Sequence, residues 1–366
     1  MRLSNFWWLL GWLLAVGGFT LIFSPQQEEL VLGKRCTRWN WLYVLILAAP
    51  YVVWAGWRGV GYGDTAMYRS VFNEMPVGLD QFGEYLAAAT KDRGFVVFEY
   101  FFKTFISRQP EMFFLAVAAI QMFCLVRIYR KYSVHFWLSM FFFVASTDYV
   151  AWMHNGMRQF LAAAIIFTCI PLIIKKKYLS MAIIVLLASQ IHLSAIVFLP
   201  ILLIVNGRAW NTRSILFIIT VILSFFFLDR ITGFMTEAME DTAYEGDIQT
   251  LLTDDGTNII RVAFYSVPAL MALVFRPYID AADDPMINMC ANLSVVAMGF
   301  YIFSFFTSGI LVGRLPIYFS LANYILIPWL INEVFDPASG MLVSTVFVGV
   351  YSFFFYYQMH ITWKIL

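Results

Sequence analysis

Long apolar runs recur along the whole chain and constrain its fold more than any other feature. They lie near 6–23, 41–57, 112–128, 134–152, 159–174, 178–191, 195–205, 214–228, 259–275, 287–306, 316–332 and 341–358. Lipid offers no water to backbone N–H and C=O groups, so such runs must be helical, and a β-barrel would need alternating polar residues. The pattern predicts an all-α polytopic integral membrane protein with about 10–12 transmembrane helices.

The composition supports one membrane domain and no soluble one. Hydrophobic residues make up 61% of the chain and charged residues 13%, too few charges to cover a soluble surface. We therefore expect a single transmembrane domain over 1–366. The N-terminal run carries one basic residue and no small-x-small cleavage site, so we expect it to be retained as the first span.

The charge balance and the cysteines exclude several function classes. With 24 basic and 23 acidic residues, nothing indicates nucleic-acid binding. The cysteines form no C-x-x-C pair and no cluster with histidine, which argues against a disulfide framework and a zinc site. They are Cys36, Cys124, Cys169 and Cys290. We expect no metal and no cofactor.

Lysine and arginine in the short loops predict the orientation. Basic residues near 34–38, 127–131, 175–177, 208–213 and 276 fall on one side if every run spans, and that side is the cytoplasm by the positive-inside rule. The N-terminus then lies outside. Two outward loops follow, one at 58–110 and an acidic one at 229–258.

Two segments depart from simple spans. Within the first outward loop, 95–107 is apolar except for Glu99 and Lys103, whose spacing pairs them on one helix face; this segment either lies in the interface or dips into the membrane. The runs 178–191 and 195–205 turn at His192-Leu193-Ser194 and are too short for two full spans, which favours a broken hairpin with a polar tip.

Polar side chains at the predicted outer ends of spans need explaining. Arginine presents a planar fork of donors suited to diphosphate, and Arg58, Arg158 and Arg314 all end or begin spans there. The alternative for each is anchoring to lipid phosphate. For His192, proton transfer competes with packing as a neutral imidazole. The pair Asp254-Asp255 is interpreted as loop charge.

Six short motifs follow one another in chain order. They are Arg58-x-x-Gly61-x-x-Asp64-x-x-x-Tyr68, Gly94-Phe95-x-x-x-Glu99, Met157-Arg158-Gln159-x-x-Ala162, the lysines 175–177, Ala188-x-x-Ile191-His192-x-Ser194-Ala195, and Gly313-Arg314 before Tyr318. This ordered set resembles the motifs of the EpsG family, which is akin to the Wzy-type O-antigen and capsule polymerases. The run Gly61-Tyr62-Gly63-Asp64 differs from the family's Gly-Thr-Asp-like run but keeps its aspartate.

The resemblance implies a metal-independent glycosyltransferase of GT-C-like architecture at the outer face of the bacterial inner membrane. Such proteins join oligosaccharide repeats carried on undecaprenyl diphosphate, which is the leaving group. The implied partners are the lipid-linked donor and acceptor and membrane lipids, with a flippase and a chain-length regulator as further expected partners.

The resemblance also suggests roles for individual residues. The implied catalytic candidates are His192, Asp64 and Glu99, and which of them activates the acceptor hydroxyl is left open. The implied diphosphate ligands are Arg58, Arg158 and Arg314. Further expected substrate contacts are Tyr68, His154, Gln159 and Ser194.

Other membrane functions remain as alternatives. A membrane O-acetyltransferase has a similar size but tends to carry an early Arg and His pair, which the first span lacks. A transporter or flippase of lipid-linked glycans more often shows repeats and helices broken at mid-membrane. A purely structural subunit leaves the outward arginines and His192 unexplained.

Overall fold

The computed structural model describes residues 6–23, 27–227 and 254–364, together with 230, 233 and 237. The acidic loop predicted at 229–258 lies mostly outside the described residues. The helices of the first half are α1 (Trp7–Phe23), α2 (Trp41–Gly56), α3 (Thr65–Glu74), α4 (Phe82–Ala88), α5 (Arg93–Phe105), α6 (Pro110–Tyr132), α7 (Phe136–Ala145) and α8 (Met157–Cys169).

The second half continues in the same helical manner. Its α-helices are α9 (Pro171–Ile174), α10 (Tyr178–Ser189), α11 (Phe198–Ile204), α12 (Thr212–Ser224), α13 (Ile259–Val274), α14 (Arg276–Ala282), α15 (Pro285–Phe305), α16 (Ile317–Ser320), α17 (Asn323–Val334) and α18 (Pro337–Tyr356). Single 3-10 or π turns are Tyr149–Met153, Leu193–Val197, Phe225–Phe227, Val312–Arg314 and Tyr357–Thr362.

The helices confirm the all-α polytopic membrane class. Among the described residues, four helical stretches are long and apolar enough to cross a bilayer, or six if each of two bent pairs forms one span. Six apolar helices of 10–17 residues accompany them, and only with these does the chain approach the predicted 10–12 spans. The 12-residue α10 would rise only about 18 Å, which agrees with the predicted broken hairpin.

The strand pairing after the first helix was not expected from the sequence. Residues between the first two helices form an antiparallel pair, β1 (Gln27–Val31) and β2 (Lys34–Arg38). Leu32 and Gly33 connect the strands and both have positive φ, which matches the twist of a two-residue hairpin turn. An ion pair between Glu29 and Arg38 closes the open end.

Local sequence explains where many helices begin. An Asn or Asp side chain accepts a hydrogen bond from a backbone N–H in the first turn, and proline often follows because its missing N–H costs nothing there. The capping residues are Asn40 (α2), Asn211 (α12), Asn258 (α13), Asp284 (α15) and Asp336 (α18).

The chain divides into two compact units. The first comprises Met1–Thr168, Leu186–Leu193 and Ile331–Leu366, and the second comprises Cys169–Val185 and Ser194–Leu330. The single transmembrane domain expected over 1–366 stays a prediction.

In the first unit, α1, α2, α6 and α7 pack side by side and α18 packs on α7. Hydrogen bonds join neighbours where buried tyrosines reach across: the Tyr149 hydroxyl donates to the Tyr51 carbonyl over 2.6 Å, and the Tyr51 hydroxyl donates to the Leu9 carbonyl over 2.5 Å. In the second unit, α15 is the central helix and contacts α9, α12, α13 and α16.

Helix α5 is an amphipathic helix packed on protein rather than a span. The Phe113 ring of α6 lies 5.7 Å from the ring of Phe95, 5.4 Å from that of Phe98 and 5.3 Å from that of Phe102. This aromatic cluster fixes α5 against α6. It therefore also fixes the polar residues of α5 that are buried beside it.

Candidate functional site

Arg158 stands at the first turn of α8 and remains reachable from outside the protein. Its Nη1 lies 2.9 Å from Oδ2 of Asp92, and its side chain is 32% exposed. The guanidinium lies over the ring of Tyr68, 5.6 Å from the centroid, and also interacts with the Tyr68 hydroxyl. One carboxylate and one ring hold the arginine in place and leave part of its fork open.

Asp92 connects this arginine to the turn that carries His192. Its Oδ2 pairs with Arg158, while its Oδ1 accepts a hydrogen bond from the backbone N–H of Leu193 over 3.3 Å. Asp92 has φ +52°, so the chain reverses just before α5 and turns the carboxylate toward both partners. A single side chain thus orients two predicted site segments.

The His192 turn lies on the N-terminus of α5. The Gln190 carbonyl accepts hydrogen bonds from two N–H groups of the first turn, those of Gly94 (2.7 Å) and Phe95 (3.3 Å), and Phe95 also donates to the Asp92 carbonyl over 2.9 Å. A Cβ on Gly94 would stand 2.9 Å from that carbonyl oxygen and 2.7 Å from Cβ of Gln190, so glycine is required for the contact. His192 itself is half-buried.

Glu99 is a buried carboxyl on the inner face of α5. It is 3% exposed, and its Oε1 has no hydrogen-bond partner among the described residues. Burial raises the pKa of Glu99 to about 7, although the charges of Arg158 and Lys103 pull it down. Near neutral pH this carboxyl can therefore take up or release a proton.

Glu99 and Lys103 lie on one buried face of α5, as predicted, but the hydrogen bonds of Lys103 are made with the end of α3. Lys103 is 6% exposed and donates from Nζ to the carbonyls of Phe72 (2.6 Å), Asn73 (2.9 Å) and Met75 (2.5 Å). These carbonyls end α3, where a cation is favoured by the helix dipole. Lys103 therefore caps the C-terminal end of α3. It acts on Glu99 only electrostatically, as a nearby positive charge.

Arg58 is buried, in contrast to Arg158. It is 3% exposed, and its guanidinium donates to Oγ1 of Thr65 over 3.1 Å, to the carbonyls of Ala55 (2.9 Å) and Met153 (3.3 Å), and to a sulfur. Burial lowers the pKa of Arg58 to about 10. With its fork occupied by protein acceptors, Arg58 positions the backbone before α8, and direct diphosphate contact stays a prediction.

Asp64 lies at the surface, just before α3. Its backbone N–H donates to Oδ1 of Asn155 over 3.0 Å, and Gly63 makes this approach possible with φ +48°. The Tyr62 hydroxyl donates to the Val150 carbonyl over 3.3 Å. The 61–64 run is thus held against the segment before α8, and the Asp64 carboxylate is left exposed.

His154 does not share a helix face with Arg158, because α8 begins only at Met157. Its ring is 1% exposed and packs against Trp54, Tyr149 and Tyr62 at centroid distances of 4.6, 5.1 and 5.3 Å. Burial, with the Arg58 charge, lowers the pKa of His154 to about 3, so the ring is neutral. Its geometry is that of a packing residue. Gln159 is buried as well, at 4% exposure.

Two of the predicted site residues belong to the second unit. The hydroxyls of Ser194 and Tyr318 lie 2.9 Å apart, and Arg314 ends the turn Val312–Arg314. Asp254, which we interpreted as loop charge, instead has a structural role: its Oδ2 accepts from the Ser308 hydroxyl and the Ile310 N–H, both over 2.7 Å. It orders the loop that leads to Arg314.

Sequence reasoning missed Asp92 and Asn155, the two residues that tie the segments of the first unit together. Asp92 stands two positions before Gly94 in Lys91-Asp92-Arg93-Gly94, and Asn155 adjoins His154. In the sequence, only their position beside a predicted motif pointed to these two residues. The first unit thus brings together Tyr68, Asp92, Glu99, Arg158 and the 190–193 turn.

Comparison with known proteins supplies one match. The sequence profile of the EpsG family matches residues 41–363, which is nearly the full length of the chain. The curated proteins and the solved structures that were compared contain no significant match.

Proposed function

Because the chain belongs to the EpsG family of polysaccharide polymerases, we propose that it joins undecaprenyl-diphosphate-linked oligosaccharide repeats at the outer face of the bacterial inner membrane. The family and the apolar helices make it a multi-pass membrane protein with a polysaccharide polymerase-like role. We propose undecaprenyl diphosphate as the carrier lipid, the outer membrane face as the place of reaction, and no requirement for a metal. A flippase and a chain-length regulator are the proposed protein partners.

The proposed reaction is a glycosyl transfer between two lipid-linked chains. An acceptor hydroxyl oxygen bonds to the anomeric carbon of the donor glycan, and the bond from that carbon to the diphosphate oxygen breaks. Undecaprenyl diphosphate leaves with the electron pair, and the hydroxyl proton passes to a base on the protein. The transition state therefore gains negative charge on the diphosphate.

The partly open guanidinium of Arg158 carries the proposal. Asp92 and Tyr68 fix its position without filling its fork, so a diphosphate oxygen could accept two N–H groups. Charge that develops on the leaving group would meet a preorganised cation. Arg314 as a second diphosphate ligand stays a prediction from the sequence.

The geometry supports two bases for the acceptor hydroxyl. Glu99 has an unbonded oxygen, and its pKa of about 7 suits proton transfer at neutral pH. His192 lies in the turn held by Asp92 and by the N-terminus of α5. Asp64 is exposed and stays a third candidate.

Glu99→Gln and His192→Ala should differ in their pH–rate profiles. The rate falls at low pH when the base is protonated, so only the variant that has lost the true base should lack this fall.

We expect Arg158→Ala to lower chain elongation about 10²- to 10³-fold, because it removes charge stabilisation of the leaving group. The measurement is the ladder of products that purified protein makes from a synthetic undecaprenyl-diphosphate repeat. Arg158→Lys should retain only part of the rate, since an ammonium lacks the planar fork.

Arg108→Ala is the matched control, because Arg108 is an exposed arginine in the same predicted outward loop. It should elongate chains at the normal rate. Normal elongation by a folded Arg158→Ala protein would refute the diphosphate role. Product formation that depends on an acyl donor would favour the O-acetyltransferase alternative.

A further inference from the structure

A cavity of about 550 Å³ lies within the first unit, away from the candidate site. It is bordered by the C-terminal part of α1, strand β2 and the start of α7. The end of α1, the start of α2, the end of α6 and the start of α7 share one face when these packed helices span the membrane in turn. The positive-inside rule assigns that face to the cytoplasm.

The cavity carries positive charge that the protein only partly neutralises. Arg35 and Arg38 both line it. Arg38 pairs with Glu29, yet its buried Nε has no partner among the described residues. Arg35 is exposed and forms no ion pair within the part of the chain that the structure describes. An anion in the cavity would therefore meet the guanidinium of Arg35 and the positive charge of Arg38.

The remaining lining is typical of a membrane interface. Trp39 and Trp137 line the cavity, and indoles prefer the depth of lipid headgroups. The Trp137 Nε1 donates to the Leu13 carbonyl over 2.7 Å, which fixes its ring against α1. Gly18 leaves open space on the same helix, since a Cβ there would meet no atom within 4 Å.

The cavity opens onto an apolar surface. Leu14 lines it and is 54% exposed, and Phe19 on the same helix is 51% exposed. Exposed side chains of this kind on a spanning helix contact acyl chains. A ligand that combines an anionic head with apolar tails would satisfy both the arginines and this surface, whereas a soluble anion would use the arginines alone.

We propose that this cavity binds the phosphate headgroup of an anionic phospholipid, with an acyl chain lying along α1 past Leu14 and Gly18. The phosphate accepts from the guanidinium of Arg35 beside the positive charge of Arg38, and Trp39 and Trp137 flank the headgroup. The site is independent of the polymerase reaction, so it stands or falls separately from the proposed function.

Native mass spectrometry of the purified full chain tests the proposal. The protein is released from detergent micelles that contain equal amounts of phosphatidylglycerol and phosphatidylcholine, and the retained lipids are counted. We expect preferential retention of phosphatidylglycerol. Arg35→Gln should weaken it about fivefold, the usual contribution of one basic residue near an anionic lipid.

Two further variants separate the site from general charge and from folding. Arg127→Gln removes an exposed arginine of α6 near the same predicted face but outside the cavity, and it should not change retention. Gly18→Leu fills the open space while both arginines stay in the protein, and it should lower retention as strongly as Arg35→Gln.

Three results would overturn the proposal. These are equal retention of the two lipids, an equal loss in Arg127→Gln and Arg35→Gln, and full retention in a folded Gly18→Leu protein. Competition with inorganic phosphate is the last test. If millimolar phosphate displaces the lipid fully, the cavity is a site for soluble anions instead.

Discussion

At the scale of single residues, burial of the Glu99 carboxyl makes the stability of the protein depend on pH. Its pKa rises from 4.5 to about 7 on folding, so the folded protein binds more protons between these values. The free energy of unfolding therefore falls as pH rises through this window and stays lower above it. The groups that face the carboxyl are Arg158 on α8, Lys103 on its own helix and Tyr85 on α4.

We expect Glu99→Gln to raise the free energy of unfolding by about 2–3 kcal/mol at pH 8 and to leave it unchanged near pH 4. A neutral amide avoids the cost of burying an ionised carboxylate. Thermal melts in detergent at both pH values measure the effect. Glu84→Gln, at an exposed position of α4, should show no such difference, and an equal gain at both pH values would contradict the explanation.

Lys103 has a different role, which is to cap α3. We expect Lys103→Met to lower the free energy of unfolding by about 2–3 kcal/mol, because three carbonyls at the end of α3 lose their donor. Melts of the purified variant give the value. Lys177→Met removes an exposed lysine and serves as the control. A stability equal to that of the control would show that water replaces the ammonium without cost.

The sequence indicated which polar residues to examine, but it predicted their burial and contacts only in part. Arg158 was selected because a charge at the end of a span needs an explanation, and Tyr68 and Glu99 were selected through the family resemblance. Arg58 satisfied the same criterion and is nevertheless buried, since two of its four acceptors, Met153 and Met157, come from a segment 95 and 99 residues away in sequence. Asp92 was missed because its role depends on a left-handed backbone, which no spacing rule reports.

At the scale of elements, the contact between α5 and the 190–193 turn depends on one missing side chain. We expect Gly94→Ala to lower chain elongation about tenfold, because its Cβ pushes the Gln190 carbonyl and the His192 turn off the helix end. The polymerisation ladder and a melt are measured together. The protein should stay folded, since the aromatic cluster that anchors α5 is unchanged.

Gly83→Ala is the control for this variant. Gly83 lies in the helix α4, and a Cβ there meets nothing within 4 Å. It should elongate chains normally. Equal activity of the two variants would mean that the position of the His192 turn does not matter to the reaction.

Hydropathy predicted the apolar helices but not the hairpin between α1 and α2, nor the helices α3 and α4 of the predicted outward loop. An apolar run of sufficient length has no alternative to a helix in lipid, so the spans follow directly from the sequence. The residues 27–38 combine charged ends with the apolar run Leu30-Val31-Leu32 and lack the alternating pattern of a strand with one buried face. Their pairing relies on the Leu32-Gly33 turn and the Glu29–Arg38 ion pair, which are weak signals.

At the scale of the whole molecule, the predicted orientation has a direct test. In a variant whose four native cysteines are replaced by serine, Asp80→Cys should react with a membrane-impermeant maleimide in intact cells. Lys131→Cys should react only after permeabilisation, because the positive-inside rule assigns it to the cytoplasm. Both positions are exposed. Labelling of Lys131→Cys alone in intact cells would invert the topology.

The chain-level division into two units was not visible in the sequence. No internal repeat or polar linker separates them, and the boundaries cut through α8, α10 and α17. The number of apolar runs was predictable because it depends on local composition. The grouping of those runs depends on long-range packing, such as the Phe142 ring of α7 lying 4.3 Å from the Tyr351 ring of α18.

The make-up of the first unit has a consequence for biosynthesis. Met1–Thr168 are synthesised before the second unit, Leu186–Leu193 between its two parts, and Ile331–Leu366 after it. The early helices must therefore wait in the bilayer, with the face of α7 that receives α18 uncovered, until translation has passed the whole second unit. A nascent chain halted after residue 330 would expose that surface to insertion chaperones and to membrane proteases.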